Sequence, residues 1–340
     1  MLLTFNIRHG RDFSAELAKV REVAEYAVEH RSRTSADVKD IGLPSVIANQ
    51  VLRKYSHNSN IKRIRHVQLT VPGQAVKMAE DYKELYISCL KLRLDISYLP
   101  TFKKVNQIEL DKEYAHVTVT ITEPPVREVE QWFGVDLNST GHIAVAANPT
   151  TGKVQKYGKE APHTHRKYSK MRRRLQIQGH YKVAKNKIRN KENRKVKDIN
   201  HKISRAIVNR AAQQACGIKL EKLSSIRQTA RQSRSSRPSL HSWSFYQLQQ
   251  MIEYKAKLLG VPVVYVDPAY TSQTCSKCGL IGTRNGKDFT CPHCGHVDHA
   301  DVNASFNIAL RPSIEEGVGR SHADRVVCKG LIGVPQEATA

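Results

Sequence analysis

The sequence predicts an α/β protein: a β-rich module with inserted helices, followed by a strand-and-helix domain that carries a metal-stapled insertion. Three observations lead there. In the second half, three strand-like runs follow one another closely, and two more come after long helical stretches. Two Cys-x-x-Cys pairs interrupt the chain between the last of these strands and a final helix. In the first half, a helical apolar period gives way to one close to two from Ile61 onward.

Composition bounds the partner. The chain has 340 residues, enough for two or three domains, with 55 Lys and Arg against 31 acids and a formal charge of +24. A clustered excess of this size points to a polyanion, nucleic acid first. Four of the seven cysteines lie in the paired motifs and Cys89, Cys216 and Cys328 are scattered, a pattern that suits a reducing cytosol. Met1 to His9 holds no apolar stretch of signal-peptide length, and no apolar run approaches the ~20 residues of a membrane helix. The expectation is a cytoplasmic protein that does not engage a membrane. The sequence leaves oligomeric state open.

Leu2 to Ile7 reads as a short strand. Ser14 to Arg33 reads as an amphipathic helix, since Leu17, Val20, Val23, Ala24 and Ala27 recur at three or four. Asp37 to Tyr55 reads as two short helices about Gly42, with Pro44 allowed at a helix start. Such a pair is like a helix-turn-helix unit, and ordinary helix packing explains the same residues. From Ile61 to Val71 the alternation predicts a strand, and further strands are predicted in 85–98 and 117–122, with polar turns around Lys103 and Asp111. Pro124 and Pro125 punctuate the end of this module. Arg8, Arg53, Lys54, Lys62, Arg63 and Arg65 could touch phosphates or face solvent.

The second half opens with a strand, Trp132 to Asn138, that buries Asp136 in an apolar run. An unpaired buried carboxylate costs several kcal/mol, so Asp136 needs a partner, and a metal ion is one. Strands at 142–147 and 153–157 follow. Between Arg166 and Arg210 basic residues crowd, and Val196, Ile199, Ile203 and Ile207 make an apolar helical stripe that fixes one face inward. The other face is a positive ridge suited to a phosphate backbone. Lys170, Arg172, Arg173, Arg174, Lys182, Lys185, Lys187 and Arg189 are its candidate contacts, and Gly179 to Tyr181 breaks it into a helix hairpin. Behind Gly217, 218–223 form a fourth strand bearing Glu221. The polar stretch 226–239 reads as a mobile loop. A helix capped by Ser242 or Ser244 and ended by Gly260 leads to a fifth strand, Val261 to Val266. This order of elements is that of the ribonuclease-H-like fold, with one acid on the first strand and a second near the end of the fourth.

Cys275, Cys278, Cys291 and Cys294 stand in two pairs separated by twelve residues, each followed by a glycine. That is zinc-ribbon spacing, with thiolates at i and i+3 converging on one ion. Two disulfides would need an oxidising compartment that nothing else indicates. The final helix opens near Ala300, with Asp301 at its entrance.

Taken together, Gly134-Val135-Asp136-Leu137, Glu221, the run Tyr270 to Gly279, Cys291-Pro292-His293-Cys294-Gly295 and Asp301-Val302-Asn303-Ala304-Ser305-Phe306-Asn307-Ile308 resemble the transposon-encoded TnpB (OrfB) family. That family is the apparent ancestor of the type V CRISPR nucleases. The resemblance covers Trp132 to Leu310; before that it rests on the order of elements. It implies a β-rich wedge module over 1–125, with a helical recognition insertion at about 14–58. It implies a RuvC-type nuclease domain over 126–271 and 297–310 and a zinc ribbon over 272–296. Beyond the resemblance, the composition of 311–340, rich in Gly, Glu and Ala, predicts a flexible tail. The resemblance further implies an RNA-guided, metal-dependent DNA endonuclease with guide RNA and target DNA as partners. Asp136, Glu221 and Asp301 would be its catalytic acids; Asp267 and Asp298 are rivals for the third place. Lys222 departs from the family pattern, where an acid is common. Three carboxylates of this kind can hold two Mg²⁺ ions about 4 Å apart, while zinc goes to the four thiolates. A non-cleaving nucleic-acid-binding regulator or an accessory transposase is the alternative.

Overall fold

A computed structural model describes residues 1–57, 60–61, 63–138, 141–222 and 244–314, without the side chains of 185, 189, 244 and 245. The loop expected at 226–239, the cap expected at Ser242 or Ser244 and the tail from 315 onward lie outside the described residues or side chains. Two units divide after Glu123. No helix among the described residues is long and apolar enough to cross a membrane.

The first unit is built on an antiparallel sheet of order β1-β7-β6-β2, from Leu2–Arg8, Tyr114–Thr120, Lys104–Leu110 and Leu69–Pro72. A second sheet joins β3 (Val76–Met78), β4 (Glu84–Ile87) and β5 (Leu92–Asp95). The expected first helix is α1, Ser14–His30, and all five of its predicted apolar positions are buried. It ends on Arg31 in the left-handed conformation. The segment after it is a 3-10 helix, Ser35–Ile41, turned by Gly42 at φ 67° into α2, Ser45–Ser56.

Two strand expectations need correction. The alternating run from Ile61 pairs only from Leu69. Upstream, helix side chains take its carbonyls instead: Arg21 donates to Ile64 O and Tyr55 to His66 O. Strand β6 occupies a stretch read as turns and connections. A register shift between Val105 and Gln107 breaks its alternation, so Val105, Ile108 and Leu110 fall out of a simple period of two.

The second unit is a five-stranded sheet of order β10-β9-β8-β11-β12. Its strands are β8 (Gln131–Leu137), β9 (Ala144–Ala147), β10 (Val154–Tyr157), β11 (Cys216–Glu221) and β12 (Val263–Val266). β8, β9 and β10 form an antiparallel meander, whereas β11 runs parallel to both β8 and β12. Helix α3 (Glu160–Ile177), a π-helical stretch at Val183–Ile188 and α4 (Arg189–Gln213) lead into β11; α5 (Ser244–Leu259) leads into β12. Gly217, read as the break before the fourth strand, lies inside β11. The Trp132 ring covers it so closely that a Cβ would meet Trp132 Cζ3 at 2.4 Å.

One face of the sheet is the core. Phe133, Val135, Ile218 and Leu220 pack there with Ile203, Ile207 and Val208 of α4 and Leu248, Ile252 and Ala256 of α5. Each of the Val, Leu, Ile and Phe side chains contributes about 1.5–3 kcal/mol of burial. Because strand side chains alternate, Gly134, Asp136, Lys219 and Glu221 belong to the opposite face. Helix α6 (Ala300–Leu310) lies on that face. Between β12 and α6 is a small three-stranded sheet of β13 (Thr283–Asn285), β14 (Asp288–Thr290) and β15 (Val297–His299).

Candidate functional site

Parallel register brings the first two acids together. Leu220 pairs with Val135, so the next step along each strand sets Glu221 beside Asp136 on the α6 face. Gly134 permits the third acid to approach: a Cβ there would lie 2.0 Å from Ser305 O and 2.4 Å from Ala309 N. With α6 held that close, Asp301 in its first turn reaches the end of β8. His299 caps this helix, its Nδ1 accepting from Asp301 N at 3.3 Å.

The electrostatics follow from this placement. Burial, then the neighbouring Glu221 carboxylate, and further the Asp301 carboxylate push the Asp136 carboxyl up to about 7, against opposing contributions from Asn138 and Lys287. Glu221 is also raised, chiefly by burial, while the Thr271 hydroxyl bonded to its Oε1 opposes the rise. Asn138 Nδ2 donates to Asp136 Oδ2 at 2.7 Å. Asp301, whose side chain is 3% exposed, accepts from Lys287 Nζ at 2.7 Å on both oxygens. The rivals for the third position have local duties. Asp267 Oδ1 accepts from Ala269 N, and Asp298 Oδ1 from His299 N.

The four cysteines form the tightest site. Their sulfurs all lie within 4.8 Å of one another, with Cys275 and Cys294 at 3.7 Å and Cys278 and Cys291 at 3.5 Å. Zinc–sulfur bonds of about 2.3 Å in a tetrahedron put sulfurs about 3.8 Å apart, whereas a disulfide needs about 2.0 Å. The set fits one structural zinc ion. Gly279 and Gly295 turn each knuckle at φ 76° and 70°, their amides donating to Cys275 O and Cys291 O. The three carboxylates are not among the sets whose donor atoms all lie so close, a spacing that a centre for two ions about 4 Å apart does not require. Their hard oxygens suit magnesium.

Two buried asparagines tie the ribbon to α6. Asn303 accepts from Ser276 N at 2.8 Å and donates to Thr274 O at 2.7 Å. Asn307 donates to Thr271 O and Thr274 O at 2.8 and 2.6 Å. Both belong to the motif read from the sequence, which gave them no role. Asn138, Thr271 and Lys287 were equally without one; only the fold brings them to the acids.

On the helical hairpin, Lys170, Arg173, Arg174, Lys182 and Lys187 are exposed, and the side chains of Lys185 and Arg189 lie outside those described. Arg172 differs. It is partly buried and paired with Glu192, which also accepts from His165 Nδ1 at 2.6 Å. A buried Glu192 with two basic partners staples α3 to α4, so Arg172 holds the hairpin together.

Comparison with known proteins follows the same residues. The Cas12f1-like TNB domain family matches residues 245–308, which contain the four cysteines and Asp301. A TnpB-like protein, MJ0751 of Methanocaldococcus jannaschii, is 37% identical over 265 residues, 75% of this chain and 89% of that protein. The CRISPR-associated endodeoxyribonuclease Cas12f1 of Sulfoacidibacillus thermotolerans is 33% identical over 219 residues, 58% of this chain. The alignment spans only 50% of that longer relative. The cryo-EM structure of a Cas12f1–sgRNA–target DNA complex aligns with a TM-score of 0.45 and 16% identity, over 91% of this chain and 99% of that one.

Proposed function

The chain belongs to the TnpB-like and Cas12f-like family with a TNB zinc-ribbon domain, related to the type V CRISPR effectors, and from that premise we propose that it is an RNA-guided, magnesium-dependent DNA endonuclease of a transposable element. The observation that carries this reading is geometric: the β8–β11 register sets Glu221 beside the buried Asp136, and the close approach of α6 at Gly134 brings Asp301 to the same end of β8. Like charges gathered out of water are unfavourable by themselves and become favourable around divalent cations. The sheet order β10-β9-β8-β11-β12, in which β9 alone runs opposite to the other four strands, supports a ribonuclease-H-like, RuvC-type nuclease domain. A relative that bears the name endodeoxyribonuclease supports DNA as the substrate.

In this reading Asp136, Glu221 and Asp301 hold the divalent ions. Magnesium, when bound, supplies positive charge for an attacking water and for the departing 3′ oxygen. Asn138 and Thr271 fix the orientation of Asp136 and Glu221 through their hydrogen bonds. The exposed bases Lys170, Arg173, Arg174, Lys182 and Lys187 line the path of a nucleic-acid backbone without reading its sequence. The ribbon, held by one zinc ion, braces α6 through Asn303 and Asn307.

The test is to purify the protein with RNA transcribed from its own locus, sequence the RNA it retains and offer a plasmid library with randomised target flanks. Magnesium-dependent cuts next to a common short motif are expected. Binding with a steep salt dependence and no cutting would instead make it a non-cleaving nucleic-acid binder.

A further inference from the structure

The ammonium of Lys287 sits where a cation is wanted. Its Nζ lies 2.7 Å from Asp301 Oδ1, 2.7 Å from Asp301 Oδ2 and 3.2 Å from Asn138 Oδ1. All three are oxygens, and they come from β8's end and α6's first turn. Asn138 is turned this way because its amide nitrogen donates to Asp136 Oδ2, which leaves its carbonyl oxygen facing Nζ. One side chain thus links the oxygens around the ammonium to Asp136, the buried acid of β8.

We infer that Lys287 is a resident counter-cation occupying one of the divalent-ion positions, that a metal ion must displace it, and that Asn138 Oδ1 is an additional oxygen donor of that position. The inference rests on the reading of the three acids as a magnesium centre. An ammonium and a divalent cation cannot share one set of oxygens, because like charges at such short range repel strongly in a buried site. Geometry permits the exchange. Lys287 lies in the turn between β13 and β14, and its carbonyl accepts from Ala300 N at 2.8 Å, so the backbone stays anchored at the start of α6. Its side chain is 33% exposed whereas that of Asp301 is 3% exposed; the lysine can swing to solvent and the carboxylate cannot. A phosphate of an arriving strand would offer the released ammonium a new partner. Metal loading and substrate arrival are then coupled through one residue.

The test uses the zinc-loaded full chain and Mn²⁺ as the probe, with free Mn²⁺ read by electron paramagnetic resonance. Lys287→Met, which keeps the stem and removes the charge, is expected to bind Mn²⁺ at least about tenfold more tightly than wild type. The gain should vanish in the Lys287→Met, Asp301→Asn double variant. Unchanged or weaker binding by Lys287→Met overturns the inference and leaves the magnesium centre standing. No carboxylate-dependent Mn²⁺ binding by either protein overturns both. A second measurement needs no variant: acetylation of wild-type Lys287, followed by mass spectrometry, should rise several-fold when Mg²⁺ is added. Labelling that does not respond to Mg²⁺ contradicts the displacement.

Discussion

Gly134 and Ser305 stand so close that a Cβ on the glycine would lie 2.0 Å from the serine carbonyl oxygen. This contact sets the depth at which α6 rests on β8. It therefore sets the separation of Asp136, two residues after Gly134, from Asp301, one turn before Ser305. The absence of a side chain at one strand position is what lets two acids from distant parts of the chain share a field.

Gly134→Ala should lift α6 from the sheet. Overpacking of a close-packed contact costs about 1–3 kcal/mol, and here the obstructing atoms are backbone that cannot rotate away. Urea denaturation is expected to show a loss at or above that range. Divalent-ion affinity should fall with it, since Asp301 retreats from Asp136. A variant as stable as wild type would show that α6 is not seated by this contact.

Asp136 should make the metal-free protein less stable as pH rises. Its carboxyl is raised from 3.8 to about 7 in the folded chain, so between those values the folded state binds more protons than the unfolded one. Stability contributed by this group is therefore lost as pH climbs from about 4 to 7. Asp136→Asn, with zinc retained and magnesium omitted, should be more stable than wild type at pH 8 by on the order of 2–4 kcal/mol. The advantage should shrink toward zero at pH 4. Thermal unfolding at the two pH values reads the difference.

Zinc removal should be felt at α6 as well as in the ribbon. Chelation is expected to open residues 272–296 to protease first, because the knuckles have little core beyond Phe289 and Ala300. Asn303 and Asn307 would then lose their partners at Thr271, Thr274 and Ser276. Limited proteolysis with mass spectrometry should find cuts in the ribbon, followed by cuts near Ala300. Unchanged sensitivity in the ribbon under chelation would contradict a structural zinc ion.

Residue type and spacing made part of this legible. The four cysteines needed only their spacing, and the positions of α1, β8 and β12 followed from apolar period and from Gly260. Asp136 announced itself as an acid inside an apolar strand. What escaped was set by distant contacts. The bulge at Val105 to Gln107 disguised β6, and carbonyls captured by Arg21 and Tyr55 kept 63–68 from pairing. Arg172 looked like its exposed neighbours until Glu192 arrived from the next helix. Lys287 is one basic residue among 55 Lys and Arg, and only the folding of the β13–β14 turn onto α6 distinguishes it.

The most direct test of the account is the magnesium-dependent cleavage rate of the RNA-bound protein on a matched DNA target, measured side by side for wild type and for Asp136→Ala, Glu221→Ala and Asp301→Ala. Cutting by wild type alone, with each variant at background while still retaining RNA and zinc, is the predicted result. Cutting that persists in any one of the three would contradict the assignment of that acid, and persistence in all three would remove the centre altogether.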